Sequence, residues 1–383
     1  MPDSTAPYPH PSLPDAAAMR AGAVLSIDLG AIQANWRSLQ ARLGAATCAA
    51  VMKADAYGLG AAQVGPALAA AGCTHFFVAH LAEGIALRPH LPEGALIHVL
   101  HGCFAGTEAE CAAHGLIPVL NSPSQLAAWA ALGIARGKRL PALIQLDTGM
   151  ARFGFSEAEL RQVVADGRAL AAIELRAVMS HLACADEAAH PANAAQRARF
   201  DALRALLPAA PASLAASSGI FLGPDFHYQL ARPGVALYGV NPTPGQLNPM
   251  QPVVRLDARV IQLRDVPAGT PVGYGHTART AGPARLATIA VGYADGYLRA
   301  GSNKGAAWFA GIPLPLLGRV SMDSIILDAS ALPEGALHEG ALVSLIGPER
   351  DVDAVGADAG TIGYEILTSL GARYHRRYLP PEA

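Results

Sequence analysis

Ala49-Ala50-Val51-Met52-Lys53-Ala54-Asp55-Ala56-Tyr57-Gly58-Leu59-Gly60 is the stretch on which the fold turns. Its first four residues form a short apolar run that reads as a buried parallel strand. A lysine, a glycine-rich turn and the start of an Ala-rich helix follow. Lys53 thus stands at the C-terminal mouth of a strand, where the loops of a barrel or doubly wound sheet converge on a cleft. A lone strand-end lysine ordinarily points into water. Where burial or a neighbouring cation lowers its pKa, it loses its proton and can form a Schiff base.

Outward from this stretch, strand-like runs alternate with segments of helical spacing. The runs are 47–52, 75–79, 96–100, 117–120, 143–146, 177–180, 213–216 and 235–238, with helical segments such as 124–132, 156–170 and 194–207 between them. Eight such runs fit an eightfold β/α (TIM-like) barrel better than an open sheet. Lys53, Asp147, His181 and Ser218, each following a strand, would then face one cleft. After Asn241-Pro242-Thr243-Pro244-Gly245 the runs become short, β-rich and punctuated by Gly and Pro. The expected organisation is a disordered, proline-rich tail over 1–20, a barrel over 21–245 and a mainly β domain over 246–383.

Composition narrows the partners. The chain has 383 residues, is half apolar and carries a formal charge of −2, so nothing electrostatic favours nucleic acid. Its five scattered cysteines form no C-x-x-C pair, which argues against a disulfide framework or a zinc site. No signal-peptide pattern and no membrane-length apolar run occur. The reading is a cytoplasmic protein that handles small molecules.

Further motifs follow in order. Asp147-Thr148-Gly149-Met150-Ala151-Arg152-Phe153-Gly154 lies after the fifth run, and Ala231-Arg232-Pro233-Gly234-Val235-Ala236-Leu237-Tyr238-Gly239 spans the eighth. Beyond the boundary come Val272-Gly273-Tyr274-Gly275-His276-Thr277, Gly292-Tyr293-Ala294-Asp295-Gly296-Tyr297, Gly318-Arg319-Val320-Ser321-Met322-Asp323 and Gly363-Tyr364-Glu365-Ile366-Leu367. Each alone is a weak pattern. As an ordered set, from about residue 23 to 378, they resemble the alanine racemases, which use pyridoxal 5'-phosphate.

The resemblance implies roles. Lys53 would form the imine with the cofactor and serve as the base facing the proton of D-alanine, with Tyr274 as the base for L-alanine. A tyrosine needs help for this, since its unperturbed pKa is about 10; Arg232 and His181 are the candidate helpers. Arg232 would face the pyridine nitrogen, where a fixed cation disfavours ring protonation and so favours racemisation over transamination. The cofactor phosphate would meet Tyr57, Ser218, the amides of Gly234 and Val235, and Tyr364; the family's usual Asn-Ser is met here by Ser217-Ser218. Arg152 and the main-chain N–H of Met322, with Asp323 beside them, would hold the substrate carboxylate. Tyr293 would help to complete the site. The family geometry also implies a head-to-tail homodimer, in which Tyr274, Tyr293 and Met322 of one subunit complete the barrel mouth of the other, and it pairs the early strand 24–28 with the β domain.

One position departs from the pattern. Many members carry a carbamylated lysine two residues before Asp-Thr-Gly-Met, and this chain has Gln145. A neutral amide cannot balance the charge of Arg152, which leads to the expectation of chloride beside Arg152 and Gln145, or of a mobile Arg152. Competing readings are a racemase of serine or of several small amino acids, a barrel-type decarboxylase, and a cofactor-carrying protein without turnover. In the alanine-specific pattern that the chain resembles, Tyr364 would crowd the side-chain pocket, which argues for a small side chain. The decarboxylase would need a cysteine in the β domain, where there is none. A protein without turnover should lack the second base and the carboxylate arginine. Whether the activity serves cell-wall precursors or alanine catabolism is not legible in the residues.

Overall fold

The structure, a computed structural model, describes residues 16–381. Most of the expected tail, 1–15, lies outside the described residues; its last part, Ala16–Arg20, is a short helix rather than disordered chain. The described chain forms two compact units: 28–253 with Gly363–Thr368 and 378–381, and 16–27 with Val254–Ile362 and Ser369–Arg377.

The first unit is built on parallel strands. Ala50–Val51, His75–Val78, Leu96–Val99, Ile117–Leu120, Leu140–Gln145, Ile173–Met179 and Ala212–Ser213 pair in chain order. Their side chains are largely apolar and buried, as strands covered on both faces require. Leu230–Ala231 pairs in parallel with Thr47–Cys48, and Ala216 bridges to Arg232. The Ala49 N–H donates to the Ala231 carbonyl and the Arg232 N–H to the Ala215 carbonyl, each at 2.9 Å, which closes the ring. The expected barrel is present, with its eighth strand displaced. Residues 235–238 are not a strand but the 3₁₀ helix Val235–Tyr238, fully buried behind Pro233-Gly234. A four-residue apolar run carries no period that separates a buried strand from a buried helical turn.

Helices pack around the ring with ordinary local signals. Asp28 caps Leu29–Leu43 by accepting the Ala31 N–H at 2.8 Å. Ser156 and Glu159 form a capping box on Glu157–Asp166. Helix Ala192–Arg204 buries Gln196, Phe200 and Leu203 on one face, and Phe200 alone contributes about 1.5–3 kcal/mol by leaving water.

The second unit is an eight-stranded, mainly antiparallel sheet. Its spine, Val254–Val266, pairs with Ala23–Asp28 and Leu342–Ile346, then shifts register between Val260 and Gln262 and goes on to pair with Ala284–Ile289. Such a bulge bends a strand and redirects it. That shift lets one long strand serve two sets of neighbours.

Candidate active site

Lys53 follows Met52 directly out of the strand Ala50–Val51, and the chain then does something that propensity opposes. Ala54, Asp55, Ala56 and Tyr57 all have left-handed backbone angles, with φ between 53° and 56°. Each non-glycine residue held there costs about 1–2 kcal/mol. Glu83 offsets part of this by accepting the Ala54 N–H at 2.7 Å with one carboxylate oxygen and the Ala79 N–H at 2.7 Å with the other. Asp55 contributes by accepting the Ala61 N–H at 2.7 Å. The expected glycine-rich turn is thus a left-handed turn of mostly non-glycine residues, of the kind retained where geometry at a functional group is over-determined.

The turn directs Tyr57 inward, where its ring meets Tyr238 at 4.8 Å and Tyr364 at 6.3 Å between centroids. Burial pushes the Tyr57 hydroxyl far above its ordinary pKa, so it acts only as a neutral donor or acceptor. A Cβ on Gly234 would run into that hydroxyl, so any larger residue here would displace the Tyr57 ring. The Ser217 hydroxyl accepts the N–H of Gly234 at 3.0 Å and of Ala236 at 3.2 Å. Ser217 therefore braces the loop of Gly234 from within. Ser218 lines a groove with Arg42, Phe221 and Leu222. Both serines open the helix Ser217–Phe221, where consecutive side chains diverge by about 100°.

Lys53 has a lowered pKa, chiefly through burial and then through the charge of Arg152, with Glu83 opposing. More of its amine is therefore neutral and nucleophilic. His181 is held down to about 3 by burial and by the charges of Arg232, Arg152 and Lys53, so it is neutral at physiological pH. Arg232 is 3% exposed. Its guanidinium donates to the Ser213 hydroxyl and, at 2.6 Å, to the Ser180 carbonyl, with His181 Nδ1 at 3.5 Å. None of these partners is an anion, and burial lowers Arg232 to about 9.

Arg152 leaves the strand Leu140–Gln145 through a loop pinned by Asp147. Burial raises the Asp147 pKa, but N–H donation from Gly149, Ala151 and Met150 outweighs it and the carboxyl stays ionised. The Arg152 guanidinium lies 5.3 Å from the Phe153 ring centroid. Gln145 is buried and lines a small hollow with Asp147, Met150, Phe153 and His181.

Lys53, Tyr57, Arg152, His181, Arg232, Gly234, Val235 and Tyr364 thus all belong to the first unit. Tyr274, Tyr293, Met322 and Asp323 belong to the second. There Tyr274 is 72% and Met322 52% exposed. The Tyr293 N–H donates to the Ser321 carbonyl and the Ala294 N–H to the Met322 carbonyl, each at 3.0 Å, so the two loops are bonded to each other. Arg373 donates to Asp295 and to Asp323, both at 2.7 Å. Sequence reasoning missed Glu83 and Arg373, neither of which lies at a position that carried the resemblance, and it gave Ser217 no contact of its own; only Glu83, an acid near the start of a helix, offered a local signal. Among the described residues no group of His, Cys, Asp or Glu is placed to hold a metal ion, and no helix is long and apolar enough to cross a membrane.

Comparison with known proteins agrees on one family. The family model described as "Alanine racemase, N-terminal domain" matches residues 27–242, and the corresponding C-terminal domain model matches 253–378. A protein of Mesorhizobium japonicum named "Alanine racemase, catabolic" is 58% identical over 359 residues, covering 94% of both chains. The crystal structure of alanine racemase from Bartonella henselae with covalently bound pyridoxal phosphate superposes with a TM-score of 0.91 at 44% identity, covering 94% of this chain and 100% of that one. That of the biosynthetic alanine racemase from Pseudomonas aeruginosa gives 0.86 at 36%, covering 94% and 99%.

Proposed function

Because the chain belongs to the alanine racemase family, we propose that it interconverts L- and D-alanine by a two-base mechanism with pyridoxal phosphate. The observation that carries this reading is a lysine of lowered pKa in the same unit as the inward-turned Tyr57 and the Gly234 loop packed against its hydroxyl. The residues fit the cofactor: Tyr57, Ser218, Tyr364 and the amides of Gly234 and Val235 would hold its phosphate, Lys53 its aldehyde carbon, and Arg232 its ring nitrogen. Bound there, pyridoxal phosphate supplies an electron sink for the charge left when the substrate loses its α-proton.

The rest is done by side chains. Arg152 binds the substrate carboxylate, with the Met322 amide, Asp323 and Tyr293 around it, and so fixes which Cα bond faces each base. Lys53 Nζ takes or returns the proton on the D face, and Tyr274 Oη does so on the L face. Arg232, a cation without an anionic partner, keeps the ring nitrogen unprotonated and limits transamination. Tyr364, beside Tyr57, restricts the side chain to a methyl group, which separates this reading from a serine or broad-specificity racemase.

The exposed Tyr274 and Met322 support a homodimer in which each subunit's second unit completes its partner's barrel mouth. We place the enzyme in the cytoplasm. The name of the Mesorhizobium relative favours alanine breakdown over supply of D-alanine to peptidoglycan; D-alanine auxotrophy on deletion of the gene would reverse that choice. Gln145 leaves Arg152 without a balancing negative charge, and a chloride ion beside the two residues would supply it. Bromide substitution should give an anomalous peak there, and a clean map around a well-ordered Arg152 would remove the ion from the site.

The deciding experiment is α-proton exchange in heavy water. Wild type should exchange and racemise both enantiomers. Tyr274→Phe should still exchange the proton of D-alanine while losing exchange of L-alanine. Full activity on both would leave Tyr274 outside the chemistry.

A further inference from the structure

A directed chain of hydrogen bonds joins helix Ala192–Arg204 to the buried arginine. Gln196, 4% exposed, has its whole amide engaged. Its Nε2 donates to Thr148 Oγ1 at 3.3 Å and to the His181 carbonyl at 3.1 Å, and its Oε1 accepts the Ala183 N–H at 2.9 Å. The Ser180 hydroxyl donates to the Leu146 carbonyl at 2.7 Å. Its single proton is thereby used, so in the 2.8 Å contact between Ser180 and Thr148 the threonine must be the donor. The order is then fixed: Gln196 to Thr148, Thr148 to Ser180, Ser180 to Leu146. The Ser180 carbonyl, in turn, is one of the two anchors of the Arg232 guanidinium.

Gln196 thus holds the segment Ser180–Ala183 from both sides: directly at His181 and Ala183, and through Thr148 at Ser180. That segment carries the imidazole and the carbonyl against which Arg232 is set. We infer that Gln196 is a positioning residue for the Arg232–His181 pair, fixing the angle at which the guanidinium faces the cofactor ring nitrogen. The inference rests on the role given to Arg232 above. The site demands two donors and one acceptor in one neutral, rigid group, which glutamine supplies and a carboxylate or an aliphatic chain does not. A carboxylate would also bring a negative charge into the shell of an arginine whose partners are all uncharged.

The test uses holoenzyme of the wild type, Gln196→Leu, Thr148→Val and Thr148→Ser. It compares the rate of pyruvate release with the rate of racemisation. Pyruvate forms when alanine leaves its amino group on the cofactor: Cα is oxidised as the cofactor's aldehyde carbon is reduced to the amine. The visible absorbance of bound cofactor and the melting temperature of the cofactor-free protein are recorded alongside. Gln196→Leu should raise the pyruvate-to-racemisation ratio roughly tenfold, the population shift that accompanies one lost buried hydrogen bond, and displace the absorbance band. Thr148→Val should do the same to a smaller extent, and Thr148→Ser, which restores the hydroxyl, should return both to wild type. A lower melting temperature with an unchanged ratio and band would make Gln196 a packing residue only and overturn the inference. If Gln196→Leu does not fold, an unchanged ratio in Thr148→Val overturns it equally. Failure of the underlying reading shows separately, as a wild type that binds no pyridoxal phosphate or leaves both alanines unchanged.

Discussion

Two arginines, one in each unit, show opposite uses of the same charge. Arg232 is buried among a hydroxyl, a carbonyl and an imidazole, and burial lowers its pKa to about 9. Arg373 is half exposed and is gripped by Asp295 and then Asp323, which raise its pKa. The first is a charge kept uncompensated, which costs stability and is retained only where something must feel it. The second is a clamp, its charge satisfied within the protein, that ties the loop of Tyr293 to the loop of Met322. The barrel unit thus prepares groups by burying them, whereas the sheet unit presents exposed side chains such as Tyr274 and Met322.

That contrast breaks most visibly in mixtures of inactive subunits. Lys53→Ala and Tyr274→Phe should each be inactive in racemisation alone. Unfolded and refolded together, they should regain about a quarter of wild-type activity, since half the dimers are mixed and one of two sites in each is intact. No recovery would place both bases on one subunit and remove the composite site. A smaller effect compares the arginines directly. Arg232→Lys, which keeps a charge but loses the fork that reaches both anchors, should lower kcat by about ten- to a hundredfold with little change in KM. Arg373→Ala should instead raise KM for alanine, because the loops holding Met322 and Asp323 loosen while the bases stay in place. If both variants altered the same parameter, the distinction between charge and clamp would fail.

The smallest effect concerns stability in acid. His98 is buried inside the barrel against His75, 3.0 Å away, with its Nδ1 unpartnered. Burial, then the charges of His75 and Arg232, lower it to about 3, and His181 is lowered to about 3 as well. Both are neutral when folded and take up a proton near pH 6.5 when unfolded. Their contribution is therefore full above about pH 6.5 and drains as pH falls toward about 3. His98→Leu should make the fall in stability over that window shallower by a few kcal/mol at most; urea unfolding at pH 7 and pH 5 reads the difference. An unchanged slope would mean that His98 is protonated in the folded barrel.

Much of this was legible in the residues because it is local. A short apolar run ending in Lys53, the repeated alternation of strand and helix, and an ordered series of motifs identify a barrel, a β domain and the chemistry they carry without any coordinate. Where two readings share the same local pattern, the chain could not choose. The run 235–238 satisfies a buried strand and a buried turn alike, and it became a turn because Leu230–Ala231 had already closed the ring. Ser217 and Ser218 are adjacent and identical, with no asparagine to mark the register.

The sequence by itself determined which functional groups this protein owns and in what order, since side-chain identity and period are properties of neighbouring residues. Tertiary structure alone decided what those groups became. It turned Ser217 toward the Gly234 amide and Ser218 toward Phe221 and Leu222, because one step along a helix turns a side chain by about 100°. It holds Ala54–Tyr57 in left-handed angles, with the Glu83 carboxylate of another helix accepting the Ala54 N–H. It made Arg232 a cation without an anion, because burial and the choice of partners depend on residues 19 to 52 positions away in the chain.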